Sequence, residues 1–216
     1  MAIGVSADPY GFADTNIKII SNSLGESTSQ AQATNELGDI TCESVFDTTT
    51  ERTCVYQTTT DGALSFTSVK PGTVISGEVI KGISVETSSG SRPTISITGK
   101  STKGISGSFK TYEFDIGLTG KLGAQAIGIE ATTGNVNSSS ASIQVQESQV
   151  DDEEGNEARR DIYAGRIEVS NDLVSCSGLP AWTVDTDYTQ SGKDENFENK
   201  DYPTASVSLF QNIFAD

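Results

Sequence analysis

The chain has 216 residues with 30 acidic and 14 basic side chains, a net charge of −16. That argues against a surface built to hold nucleic acid, whose phosphates are bound by Lys and Arg displacing counterions. Histidine is absent and Cys42, Cys54 and Cys176 show no Cys-x-x-Cys spacing, so a zinc site lacks its usual donor set. Ile and Val number 18 and 14 against 8 Leu, and Ser plus Thr make up 53 residues; this composition favours strands and predicts an all-β chain.

Residues 1–16, with Pro9, Gly4 and Gly11, read as an extended arm, and Ile17, Ile19 and Ile20 open a strand. Residues 21–38 are polar and read either as a loop or as a strand edge ordered by a neighbouring subunit. A hairpin is expected over 39–47 and 52–60, with Thr48-Thr49-Thr50-Glu51 as its loop. That register sets Cys42 opposite Gln57, which disfavours a disulfide with Cys54. Pro71-Gly72 then leads into a long Ile/Val-rich strand.

Two segments match each other. Ile83, Val85 and Glu86 pass through Thr87-Ser88-Ser89-Gly90 to Ile95 and Ile97; Ile127, Ile129 and Glu130 pass through Ala131-Thr132-Thr133-Gly134 to Ile143 and Val145. Apolar residues two apart on each arm, with Gly at the reversal, predict two related hairpins. Between them, alternation at Phe109, Tyr112, Phe114, Ile116 and Leu118 predicts another strand. Ile162, Ile167 and Val169 resume a strand after the acidic run 151–157, and the closing strand carries Ala205, Val207 and Leu209. Short helices, at most one or two, fit best at 26–37 or 152–162, where Ala, Glu and Gln gather.

The expected fold is an antiparallel β-sandwich or split β-barrel with long loops. It divides into 1–38 (arm, strand and polar loop), 39–146 (the core with both hairpins) and 147–216 (acidic, loop-rich, with closing strands of the same domain). Leu, Ile, Val and Phe total only 48 residues, so the core is thin. One wet face per sheet, or burial against neighbouring copies, satisfies that shortage.

Chemistry finds little support. The carboxylates cluster in polar loops, and neither a Gly-x-Ser-x-Gly elbow nor a phosphate-binding Gly-rich loop occurs; no catalytic residue and no cofactor is expected. Asp151, Asp152 and Glu154 are calcium candidates by oxygen chemistry, but consecutive acids diverge where a calcium loop needs alternate ones. Asp151, Glu153, Arg159, Arg160 and Trp182 are candidates for contact with a partner, Trp182 as a plug at a subunit seam. Lys81, Arg92, Lys100 and Lys103 place positive charge in the first hairpin region, while residues 147–216 carry 16 acids against 5 bases. That asymmetry suits head-to-tail association. The N-terminus lacks a basic start and apolar stretch, and no apolar run nears the ~18 residues of a membrane span, so neither secretion nor membrane insertion is expected.

Residues 38–60 (GDITCESVFDTTTERTCVYQTTT), residues 71–100 (PGTVISGEVIKGISVETSSGSRPTISITGK) and the terminal ASVSLFQNIF resemble the structural proteins of tailed-phage virions, most nearly a major tail tube protein. The resemblance spans about half the chain. It implies a subunit that forms stacked hexameric rings, contacts other virion proteins, lines a bore with acidic side chains and passes DNA without specific binding. Its place would be the virion, assembled in the host cytoplasm. The alternative is a capsid-decorating or cell-surface adhesion domain that binds a glycan or protein.

Overall fold

A computed structural model describes residues 8–58, 66–88, 90–114, 129–131, 135–174, 182–184, 187–196 and 202–214. These residues form an antiparallel all-β structure without a helix among them. The strands are β1 (Ile17–Thr34), β2 (Ile40–Thr58), β3 (Val74–Ile75), β4 (Glu78–Ser88), β5 (Thr94–Ser101), β6 (Ile129–Ala131), β7 (Asn135–Asp151), β8 (Glu157–Val174), β9 (Trp182–Val184), β10 (Thr189–Asn196) and β11 (Thr204–Phe214). One large sheet runs β1-β2-β5-β4-β7-β8-β11-β10, with β3 beside β4; β6 and β9 form a separate pair.

The register explains why these sequences share one sheet. Cys54, Ile97, Ile83, Ile143 and Ile167 lie opposite one another across five strands. A second row joins Tyr56, Ile95, Val85, Ala141, Val169 and Leu209. Every member of both rows is buried. Because side chains alternate between faces, the residues between them form a polar row, Val55-Ser96-Ser84-Ser142-Glu168-Phe210, beside Thr94-Glu86-Ser140-Ser170-Ser208. A slip of one residue would exchange the two faces, so the apolar rows specify the pairing.

Three non-strand segments cover the apolar face. Phe12 meets Tyr56 edge-on at 5.2 Å and stacks on Phe66 at 5.4 Å, and Phe66 tilts against Phe114 at 5.4 Å. The chain before β1 is therefore packed from residue 8 onward, and is not a free arm. Tyr10 and Phe12 are buried, the Tyr56 hydroxyl donates to Asp8 at 2.6 Å, and the Tyr10 hydroxyl donates to Glu78 at 2.8 Å. Gly99 makes room for the Tyr10 ring, whose hydroxyl a Cβ there would strike.

Several expectations need correction. The two sites proposed for helices are strands: 26–34 belongs to β1 and 157–162 to β8, because cross-strand pairing overrides a weak local helix preference. Thr48-Thr49-Thr50-Glu51 is not a hairpin loop. β2 continues through it, the reversal lies at residues 35–39, and Cys42 pairs with Ala33; Cys42 and Cys54 are both free thiols. The first predicted hairpin forms as β4–β5, with Val85 opposite Ile95 and Gly90 at φ 81°. The second does not. β4 pairs with Ser138–Gln144 of β7 and β8 pairs along its other side, so the stretch that includes Ile143 is taken on both sides, and β6 pairs with β9 instead. Among the described residues of the strand expected at 109–118, Tyr112 and Phe114 are buried, but Phe109 makes only an isolated parallel bridge to Ile162; 115–118 lie outside the described residues.

Candidate functional site

The site that stands out is the β1–β2 hairpin and its base. β5 pairs with β2 only over Glu51 to Gln57. Residues 25–34 and 40–50 therefore continue past the sheet as a two-stranded ribbon, roughly 30 Å long at ~3.3 Å per residue. An isolated two-stranded ribbon is marginal in water, and this one is exposed along nearly its whole length. Leu37, Ile40 and Val45 are 87%, 57% and 57% exposed on it, with Ile20 and Leu24 exposed on β1 below. β1 is also a sheet edge and carries only Lys18 and Glu26 as charges, so it has little of the charge that normally guards an edge. At the other edge, β10 is guarded by Lys193, Asp194 and Glu195.

Among the described residues, the ribbon meets the body at the β7–β8 tip. A register shift between Ser27 and Ser29 bulges β2 at Asp47, which sits at φ 50°, a conformation Asp tolerates better than most residues. The Asp47 N–H donates to Asn156 at 3.1 Å, and the Phe46 ring packs on Gly155 at the β7–β8 tip.

Beneath that contact lies a cluster of three cations and three carboxylates, buried at Lys100, Glu157 and Arg160, half-buried at Lys81 and Glu147 and exposed at Glu51. Lys81 approaches Glu51 at 3.3 Å and Glu147 at 3.2 Å; Lys100 approaches Glu147 at 3.5 Å and Glu157 at 3.4 Å. Arg160, wholly buried, meets Glu157 at 2.5 Å and Glu147 at 3.5 Å, and donates to the Ser101 carbonyl at 3.1 Å. The formal charges cancel, which is the condition for burying them. Burial pushes the Glu147 carboxyl up, but Lys81, Lys100 and Arg160 outweigh it and hold the group below the usual carboxylate range. A carboxylate kept ionised in this way is a poor proton donor; the cluster fastens β2, β4, β5, β7 and β8 together. On the apolar side of the same base, Arg52 pairs with Glu78 at 2.9 Å and donates to Asn22 at 3.0 Å.

Of the residues singled out from sequence, Asp151, Asp152, Glu153, Glu154, Arg159 and Arg160 lie at the β7–β8 turn and the start of β8. Asp152 caps the β7–β8 turn by accepting the N–H groups of Glu154 and Asn156 at 2.9 and 2.8 Å, and these backbone donors lower its pKa. Asp151 accepts from Gln149 at 2.7 Å, and Glu153 and Glu154 are exposed. With Asp152 committed to the turn, the calcium candidates are not brought together, and no metal-ligating group of three or more acids or Cys occurs among the described residues. Arg159 is exposed and pairs with Asp161 at 2.8 Å, whereas Arg160 is interior and offers no surface to a partner. Lys81 and Lys100, counted in the positive charge that suits head-to-tail association, are engaged in ion pairs within the subunit. The backbone of Trp182 pairs with Ala131; its side chain and Cys176 lie outside the described residues.

Sequence reading missed the roles of Glu51, Lys81, Lys100, Glu147 and Glu157. The usable signal was charge inside strand patterns, since Lys81 adjoins Ile80 and Ile83 while Glu147 closely follows Ile143 and Val145. No protein-family model matches the chain, and no curated protein matches it.

Proposed function

We propose that the chain is a structural subunit of a tailed-phage virion, most nearly a tail tube protein, whose copies join into stacked hexameric rings around a channel that passes DNA. The observation that carries this reading is the overhanging β1–β2 ribbon, in which two strands that no third strand joins among the described residues leave large aliphatic side chains in water. A neighbouring copy supplies the third layer that such a ribbon needs. The large sheet is then one layer of a β-sandwich or split barrel, completed in the assembly.

The hydroxyl face suits a channel wall. Its rows of Ser and Thr, with Glu86 and Asp172 among them and Glu168 paired to Arg166 at 2.8 Å, present hydrogen-bonding groups and little positive charge to capture a polyanion, which favours passage. No catalytic function is assigned, because the sheltered carboxylates are already matched by cations.

Negative-stain microscopy of concentrated protein tests the proposal. Rings or tubes of uniform diameter are expected, and dispersed monomers at every concentration would overturn it.

A further inference from the structure

Beside the ion cluster a cleft of about 420 Å³ opens between the β2 bulge, the turn after β5 and the β7–β8 tip, within the ~300–1,000 Å³ span of small-molecule sites. Thr48, Thr50, Ser101 and Asn156 line it together with the buried pair Glu157 and Arg160. The Glu157 side chain is 3% exposed, and one of its oxygens, Oε2, receives both Lys100 and Arg160. The other, Oε1, is buried and has no hydrogen-bond partner. A charged oxygen left in that state is costly and calls for a donor.

Charge selects the kind of donor. Asp47, Asp152 and Glu157 line the cleft against Lys103 and Arg160, so an anion meets three carboxylates and an ammonium group meets two cations, with Lys100 behind them. A neutral ligand rich in hydroxyls meets neither objection. A small turn of the Glu157 carboxylate toward the cleft lets the ligand's O–H groups donate to Oε1, which is otherwise closed to solvent, and the hydroxyl and amide side chains of the walls are matched to further hydroxyls. We propose that this cleft binds a sugar ring, as a free saccharide or as one unit of a surface glycan. The inference is independent of tube formation, since all the lining residues belong to one subunit.

Saturation-transfer NMR with the methyl glycosides of glucose, galactose, mannose and N-acetylglucosamine tests it on the full chain, because the signal is read from the ligand whatever the protein's state of assembly. At least one glycoside is expected to receive magnetisation. Ala158→Phe fills the cleft from an exposed position and leaves every charge of the ion cluster in place, and is expected to abolish the signal while leaving thermal unfolding unchanged. Glu157→Gln, read only on protein that circular dichroism shows to be folded because it also unbalances Lys100 and Arg160, weakens binding about 10-fold by replacing a charge-assisted hydrogen bond with a neutral one. No transfer to any of the four glycosides, as when only water occupies the cleft, would overturn the proposal. So would a signal that survives in a folded Ala158→Phe protein.

Discussion

Replacing Arg160 by Met tests the ion cluster most sharply. The guanidinium is fully buried and faces Glu157, whose side chain is 3% exposed, and Glu147. Methionine of similar length keeps most of the packing and removes the charge, so the change isolates electrostatics. Breaking a buried pair from one side costs about 3–5 kcal/mol, because the remaining charge is left uncompensated. Here Lys100 still stands 3.4 Å from Glu157 and shares the burden, which places the expectation near the lower end, at about 3 kcal/mol. The double variant Arg160→Met/Glu157→Met deletes one charge of each sign and returns Lys81 and Lys100 to balance with Glu51 and Glu147. It is expected to be more stable than Arg160→Met alone. Urea unfolding followed by far-UV circular dichroism measures all three proteins. A loss below about 1 kcal/mol in the single variant, or a double variant at least as unstable as Arg160→Met alone, would refute the claim that the charges are buried and mutually dependent.

Two further predictions concern the body of the subunit. Gly107→Ala puts a Cβ into the backbone carbonyl of Arg160, and the chain cannot retreat because the Ser106 N–H donates to the Ala158 carbonyl and the Arg160 N–H to the Ser106 carbonyl beside this point. A loss of about 1–3 kcal/mol is expected, whereas Gly25→Ala, whose nearest neighbour is 3.8 Å away, should stay within about 0.5 kcal/mol of wild type; urea midpoints separate the two. Acid sensitivity follows from Glu147, whose folded pKa lies below the unfolded value of about 4.3. Its contribution is complete above that value and is lost as pH falls through the folded pKa, since the unfolded chain takes the proton first. Unfolding free energy measured against pH should therefore fall more steeply below about pH 4 in wild type than in Glu147→Gln.

Much of the large sheet was legible because its strands write their burial into the sequence. β4, β5 and β11 alternate, and the row from Tyr56 to Leu209 is that alternation seen across strands. A stretch without alternation left the choice between loop and strand edge open. The outer half of β1, Gly-Glu-Ser-Thr-Ser-Gln-Ala-Gln-Ala-Thr, is exposed on both faces, so no apolar row marks it as a strand. The Thr48-Thr49-Thr50-Glu51 stretch resembled a loop for the same reason. The pairing of β6 with β9 joins residues about fifty positions apart, and periodicity carries no information on partners. At the candidate site the acidic run looked uniformly solvated. Its last member, Glu157, is instead drawn inward by Arg160 and Lys100, a contact set by the β7–β8 register and the turn after β5 rather than by any local pattern.

The central claim is that the ribbon is finished by another copy of the chain. Light scattering on concentrated wild type and on Leu37→Ser/Ile40→Ser/Val45→Ser measures it most directly. These three side chains are exposed in the single subunit, so their removal should leave unfolding within about 0.5 kcal/mol per site. The account predicts a large particle mass for wild type and a mass near one chain for the variant. Equal masses, whether both assembled or both monomeric, would contradict it.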